Sequence, residues 1–220
     1  MDSIKPNILV IESASSVMRI SVSGRDNKIW SAENADRFSH AENVIGLVER
    51  VLNESAIPLK GLDGIIISKG PGSFTGLRIG LATAKGLALA NNIPLAAISV
   101  FEAVQSRLRD ISKKTAVLIP SRRDEYYLTL LSDRPFDERD VEVIRSEQLR
   151  EKIGKTRVLP IDINPEILPF PGRQIIRQDR FRIEAQDYIT AGRQTIENGG
   201  VNLEQLEPLY IQPFPAVRKT

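Results

Sequence analysis

Chemistry in this 220-residue chain would have to come from a few places. The densest is Gly70-Pro71-Gly72-Ser73-Phe74-Thr75-Gly76, a glycine-rich loop that runs into a helix. Backbone N–H groups and the helix dipole favour an anion at such a place. The stretch is not the Gly-x-x-x-x-Gly-Lys-Ser/Thr phosphate loop, and no Lys follows to reach a phosphate. Ser73 lies between Gly72 and Phe74, outside a Gly-x-Ser-x-Gly elbow, and only His40 could serve it as a base. His40 is the one His and there is no Cys, so a metal there would need carboxylates for its other ligands. Glu42 points elsewhere on the same helix. The sequence therefore assigns no catalytic residue, no metal ligand and no cofactor.

The elements that position these residues follow from their patterns. Gly takes positive φ at low cost and Pro71 fixes its own, so Gly70 to Ser73 reads as a stiff turn. Ser73 or Thr75 is the natural N-cap. From Thr75 to Asn91 the pattern is helical and apolar nearly all round. At about 100° per residue, Arg78 and Lys85 share one narrow stripe. Leu77, Leu81, Ala84 and Ala88 flank it on one side; Ile79, Ala82, Gly86, Leu89 and Ala90 flank it on the other. An ordinary surface helix shows one apolar stripe, so this one needs cover on two sides. Small residues at four-residue spacing allow close backbone approach. One neighbour is the protein's own sheet; the other is a helix from this chain or from a partner.

A second helix opens at Ser39-His40-Ala41-Glu42, a capping box, and runs to about Ser55. Its apolar residues span an arc of about 160°. Ala41, Ile45, Val48 and Leu52 form one edge; Val44, Leu47 and Val51, with His40, form the other. Strands are expected at Ile8 to Ile11, Val17 to Ser23, Lys28 to Ala32, Gly64 to Ser68 and Leu95 to Val100, with a short helix from Phe101 to about Asp110. Three meandering strands followed by βα units imply a mixed sheet with helices on its faces.

The second half offers strands at Ala116 to Ile119, Tyr126 to Ser132 and Val141 to Ser146. Four prolines between 158 and 173 argue against a helix or central strand there. A helix spans Ile183 to Asn198, ended by Gly199-Gly200, before an extended tail. Arg173, Arg177, Arg180 and Arg182 form a local basic cluster, read as a solvated face, with contact to nucleic-acid phosphate as the alternative. The net charge of +2, from 30 Lys and Arg against 28 Asp and Glu, implies no polyanion-binding field. The absence of Cys excludes disulfides and suits a reducing compartment. No stretch approaches the roughly 20 apolar residues of a membrane helix. The expectation is a soluble, cytoplasmic protein with no membrane contact.

Three pieces carry a resemblance to a known family: the apolar strand ending in Glu12-Ser13-Ala14-Ser15, the Ser-His-Ala-Glu helix start, and GPGSFTGLRIG from Gly70 to Gly80 followed by Ala-x-Gly-Leu-Ala. Together they resemble the TsaB family (YeaZ-like), the non-catalytic subunit of bacterial tRNA threonylcarbamoyladenosine synthesis. The likeness covers residues 8–130 well and continues weakly to Glu207-Pro208-Leu209-Tyr210, similar to that family's Pro-x-Tyr terminus. It implies an α/β actin/Hsp70-like (ribonuclease H-like) nucleotidyl fold of two βββαβα-related halves, the second reduced. The halves are expected at 1–102 and 103–220.

The same resemblance implies a partner subunit for a TsaD-like transferase, in an assembly that a TsaE-like ATPase joins. Homodimers would use the same helices, and tRNA would be met only indirectly. The interface residues expected are His40, Val44, Leu47, Val51, Leu77, Arg78, Leu81, Ala84, Lys85 and Ala88. Two departures argue against catalysis. Glu12 stands where the family usually carries Asp, and Pro120-Ser121-Arg122 stands where relatives read Asp-Ala-Arg. ATP hydrolysis in this fold needs such carboxylates to orient Mg²⁺ and water. The contrasting reading is a stand-alone actin-like ATPase or phosphotransferase.

Overall fold

Ile8-Leu9-Val10-Ile11 is apolar and β-branched on both faces of a strand, so it must be covered on both. In the computed structural model, which describes residues 5–36, 40–108, 114–177 and 182–211, this strand, β1 (Ile8–Glu12), is the buried centre of a five-stranded sheet. The order is β3-β2-β1-β4-β5, with β2 (Met18–Ser23), β3 (Ile29–Asn34), β4 (Gly64–Gly70) and β5 (Leu95–Ser99). The meander β1-β2-β3 is antiparallel, while β4 pairs in parallel with β1 and with β5.

Alternation along β1 sends its side chains to two cores. Leu9 and Ile11 pack with Ile65 and Ile67 under α1 (His40–Ser55) and α2 (Phe74–Asn91). Ile8 and Val10 pack with Ile66 and Ile98 under a helix from the far end of the chain, Ala185–Glu197. Between that helix and the second sheet lies α3 (Val100–Leu108), with Phe101 and Val104 set against Val117, Ile119 and Leu159.

The second sheet repeats the first in outline. Its order is β8-β7-β6-β9, with β6 (Thr115–Pro120), β7 (Glu125–Leu131), β8 (Glu142–Arg145) and β9 (Arg157–Pro160). A one-turn helix, α4 (Leu149–Ile153), stands where the first half has α1, and the helix at Ala185–Glu197 is α5. The order βββαβα thus occurs twice, and the second copy is the smaller, as expected.

One segment differs from expectation. The proline-rich stretch contributes β9, parallel to β6, because β9 is an edge strand and its proline, Pro160, is its last residue, a place where a missing N–H costs no ladder bond. After α5, Gly199 and Gly200 take φ of +91° and +87°, and the tail turns back along the first half. Val201 N donates to Leu95 O at 2.8 Å, and Leu209 N donates to Lys69 O at 2.8 Å.

Candidate functional site

The glycine loop is shaped by what lies beneath it. Gly70 has φ +102°, a conformation that side chains disfavour, and the Gly70–Pro71 peptide is cis. Ser73 caps α2, its Oγ accepting from Gly76 N at 3.2 Å, and Ser73 N donates to Ala14 O at 2.7 Å. A Cβ at Gly72 would stand 2.1 Å from Ala14 O, one at Gly76 2.1 Å from Ser13 O, and one at Gly80 2.1 Å from Ser13 Oγ. The glycines therefore seat the Ser13-Ala14 backbone that leaves β1. Their regular spacing is explained by this close approach.

Beside the loop, a cleft of about 960 Å³ separates the two halves. Its lining includes Glu12, Phe74, Pro120, Arg122, Asp162 and Tyr188. The Glu12 carboxylate is buried and turned onto its own loop. Oε1 accepts from Ala14 N at 2.8 Å and Ser15 N at 3.1 Å, and Oε2 accepts from Ser15 Oγ at 2.5 Å. Burial raises its pKa above the usual carboxylate value, and the bonds from Ser15 and Ala14 oppose that rise only in part. Across the cleft the second strand end offers Pro120, which has no acid to give. Asp162 accepts from Ser16 N at 2.8 Å and so ties the halves together. Among the described residues, no three His, Cys, Asp or Glu are grouped to hold a metal ion. Asp162 and Tyr188 escaped the sequence reading, because nothing in a proline-rich connection or a C-terminal helix marks residues that return to the first half.

The two helices require a correction. Val44, Leu47, Val51, Leu81, Ala84 and Ala88 are buried in the chain's own core beneath α1 and α2, and Leu77 is buried against the α3 core. Those side chains therefore offer nothing to a partner. Both flanks of the Arg78 stripe are apolar, so periodicity left open which one the sheet takes; the flank with Leu77 and Leu81 lies on it. The exposed flank is the other: Ala82, Gly86, Leu89 and Ala90, with Leu89 77% exposed. On α1 the exposed apolar positions are Ile45, 48% exposed, and Gly46. Cβ atoms added at Gly46 or Gly86 would meet open space.

Of the flanking residues, Lys85 is half-buried and Arg78 is exposed. The Arg78 guanidinium lies 3.9 Å over the Phe74 ring centroid, and its Nε donates to Tyr210 Oη at 3.2 Å. Thr75 is exposed beside it. The side chain of His40 and the capping residue Ser39 lie outside the described residues. In the basic cluster, Arg182 pairs with Glu33, which also holds Arg19; Arg180 lies outside the described residues.

The family model "TsaD: tRNA N6-adenosine threonylcarbamoyltransferase" matches residues 33–134. The tRNA threonylcarbamoyladenosine biosynthesis protein TsaB of Bacillus subtilis is 29% identical over 56% of this chain and 54% of its own length. The Haemophilus influenzae TsaB is 27% identical over 56% of this chain and 52% of its own. The chain thus spans about half the length of the curated relatives it matches. A tRNA N6-adenosine threonylcarbamoyltransferase of Erythrobacter litoralis is 39% identical over 33% of this chain and 22% of its own. In fold, YeaZ from Pseudomonas aeruginosa superposes with a TM-score of 0.73 at 21% identity, covering 94% of this chain and all of that one. A Bacteroides thetaiotaomicron protein with an actin-like ATPase fold gives 0.50 at 11% identity, over 85% and 96% of the two chains. By sequence over about half of its length the chain resembles the TsaB proteins, and over nearly its whole length it shares the fold of YeaZ.

Proposed function

We propose that this chain serves tRNA threonylcarbamoyladenosine biosynthesis as a non-catalytic subunit. It pairs with a TsaD-like threonylcarbamoyltransferase and holds that enzyme in a productive conformation. The observation that carries this reading is the exposed stripe Ala82-Gly86-Leu89 on α2, together with the exposed Ile45 and Gly46 on α1. Small residues there let a partner helix approach closely, and an apolar rim around them rewards its burial. The cleft supports the non-catalytic half of the reading: Glu12 is spent on its own loop, and Pro120 stands at the opposing strand end. In the same reading a TsaE-like ATPase joins the assembly, tRNA is contacted through the transferase, and two copies pair through these helices when the transferase is absent.

Titration calorimetry of the chain with a TsaD-like transferase tests the proposal. Leu89→Glu places a charge on the exposed apolar stripe and should weaken pairing at least about 100-fold. Because Leu89 is exposed, the variant's own stability should change by no more than about 0.5 kcal/mol. Unaltered pairing would remove the stripe from the interface. Turnover of Mg-ATP by the purified chain would instead favour the ATPase.

A further inference from the structure

The parallel strands of the second sheet end at the cleft, in Pro120 of β6 and Pro160 of β9. At their other end the same strands begin among cations. Lys114 precedes β6, and Arg157, the first residue of β9, is in register with Thr115. Lys155 stands two residues before Arg157. A further length of chain runs along the outer edge of β9: Val158 N donates to Gln174 O at 2.9 Å, and Ile176 N to Val158 O at 2.7 Å. That length brings in Arg173. Gln174 Nε2 fixes the corner, donating to Gly154 O at 2.8 Å and to Thr156 O at 2.7 Å. Arg150, one turn back in α4, flanks it, and its carbonyl accepts from Gly154 N at 3.0 Å. Adjacent strands lie about 4.8 Å apart, so Lys114, Arg157 and Arg173 sit at the start of three neighbouring lengths of chain spread over about 10 Å.

Lys114, Arg150, Lys155, Arg157 and Arg173 are all exposed. Among the described residues, none of these five side chains is paired with a carboxylate. Other cations of the same half are matched: Lys152 pairs with Glu142, Arg134 with Asp140 and Arg139 with Asp137. Asp133 and Glu151 are exposed at this end too and leave the cations in excess. Exposed cations on adjacent strands lie within a Debye length of about 8–10 Å and repel one another, and a polyanion relieves that repulsion. Cβ atoms added at Gly154 or Gly172 would meet open space, so nothing described covers the corner. The arginines that cluster in sequence separate here: Arg182 pairs with Glu33, whereas Arg173 joins Lys155 and Arg157. The overall net charge of +2 conceals the group, because acids elsewhere balance it.

We propose that this corner of the second sheet is a contact for the phosphate backbone of tRNA. The inference rests on the tRNA-modification reading given above and adds a direct contact to the one made through the transferase. That reading favours RNA over other polyanions, since the curated relatives are tRNA threonylcarbamoyladenosine biosynthesis proteins. Lys and Arg set on phosphates position a nucleic acid and carry no sequence information. The corner lies about 17 Å from the cleft, the length of β6 at about 3.3 Å per residue. It also belongs to the half of the chain that does not carry α1 and α2. The transferase and the RNA backbone can therefore be held at once.

The test is binding of an unmodified tRNA transcript to the full chain, followed by fluorescence anisotropy across a salt series, alone and with the transferase. Wild-type affinity should fall steeply with salt, because each phosphate contact releases counterions. Lys155→Ala with Arg157→Ala should weaken binding several-fold and flatten the slope of log affinity against log salt by about 1.4–1.8, the share of two contacts. Lys5→Ala with Lys60→Ala removes the same charge from exposed positions of the first half and should leave both quantities near wild type. Thermal unfolding and calorimetric pairing with the transferase should be the same in all three proteins.

Equal losses in the two double variants, or no loss in Lys155→Ala with Arg157→Ala, overturn the contact. So does equal affinity for vesicles of phosphatidylcholine and phosphatidylserine in equal parts, which would give the corner to a membrane. Self-association that Lys155→Ala with Arg157→Ala abolishes would give it to a second copy and overturns the contact as well. In each of these cases, intact pairing with the transferase leaves the proposed function standing. A chain that holds tRNA through this corner and never pairs with the transferase supports the contact and overturns the partner-subunit reading.

Discussion

Glu12 is a buried carboxylate whose hydrogen bonds all go to its own loop among the described residues. Ser15 Oγ lies within hydrogen-bonding reach of both Glu12 Oε2, at 2.5 Å, and Val17 O, at 2.8 Å, and a hydroxyl has one proton to donate. When Glu12 is ionised, its carboxylate and Val17 O compete for that proton. When Glu12 is protonated, its own O–H serves Ser15, and Ser15 serves Val17. Burial favours the neutral form as well, so the folded pKa lies above the ordinary 4.5. The sign follows. A carboxyl whose folded pKa is raised stabilises the fold fully below about pH 4.5, and that stability is lost as pH rises through the folded value. Glu12→Gln cannot ionise and can make the same bonds as the neutral acid. Urea unfolding from pH 4.5 to 7.5 should therefore show the wild type losing ground to the variant, by at most about 1.4 kcal/mol per pH unit for one proton. A difference that does not vary with pH would mean that Glu12 binds its proton equally in the folded and unfolded chains, and would remove the raised folded pKa.

At the scale of the element, α2 has two faces made from similar residues with opposite duties. Gly80 has no room, since an added Cβ would lie 2.1 Å from Ser13 Oγ and 3.1 Å from Ile67 Cδ1, while Gly86 opens on empty space. Gly80→Ala should cost about 1–3 kcal/mol through overpacking. Gly86→Ala should gain up to about 1 kcal/mol from helix propensity. Denaturant midpoints measured on the pair separate the two roles, and equal shifts would contradict the packing described here. The helix itself and a hydroxyl cap at Ser73 or Thr75 were legible in the sequence, because Ser or Thr after Gly-Pro-Gly and a long apolar run are local signals; Ser73 is the one that caps. Which flank the sheet takes was not legible, since Leu77-Leu81-Ala84-Ala88 and Ile79-Ala82-Gly86-Leu89 are almost equally apolar and the choice is made by strands far away in the chain. The docking of Tyr210 on Phe74 and Arg78 was hidden for the same reason. Its tail sequence drew notice, but its target depends on α5 having returned to the first sheet. β9 was missed because four prolines argue correctly against a central strand and say nothing of an edge.

In the whole molecule, α5 decides what can fold alone. Residues 1–108 contain every strand of the first sheet, yet one face of it, with Ile8, Val10, Ile66 and Ile98, is covered by Tyr188, Ile189 and Ile196 of α5. The fit is close: a Cβ at Gly192 would lie 2.9 Å from Ile66 Cδ1, and one at Gly64 2.7 Å from Ile196 Cγ2. Three large side chains at roughly 1.5–3 kcal/mol each are comparable with the ~5–15 kcal/mol that holds a domain folded. Their loss also leaves an apolar sheet face in water. A chain of residues 1–108 should therefore show no cooperative thermal transition and should bind an apolar dye. Fusing residues 182–203 to it through a flexible Gly/Ser linker should restore a cooperative transition, because that segment brings back both α5 and the Val201 bond to β5. The discriminating control is the same fusion carrying Tyr188→Asp and Ile189→Asp, which supplies the chain length without the cover and should stay unfolded. If residues 1–108 alone unfold cooperatively, the first sheet is self-sufficient and α5 is an accessory. If only the intact fusion does, the second half of the chain is in part a device for completing the first, and the helices α1 and α2 depend on a segment more than 90 residues downstream of α2.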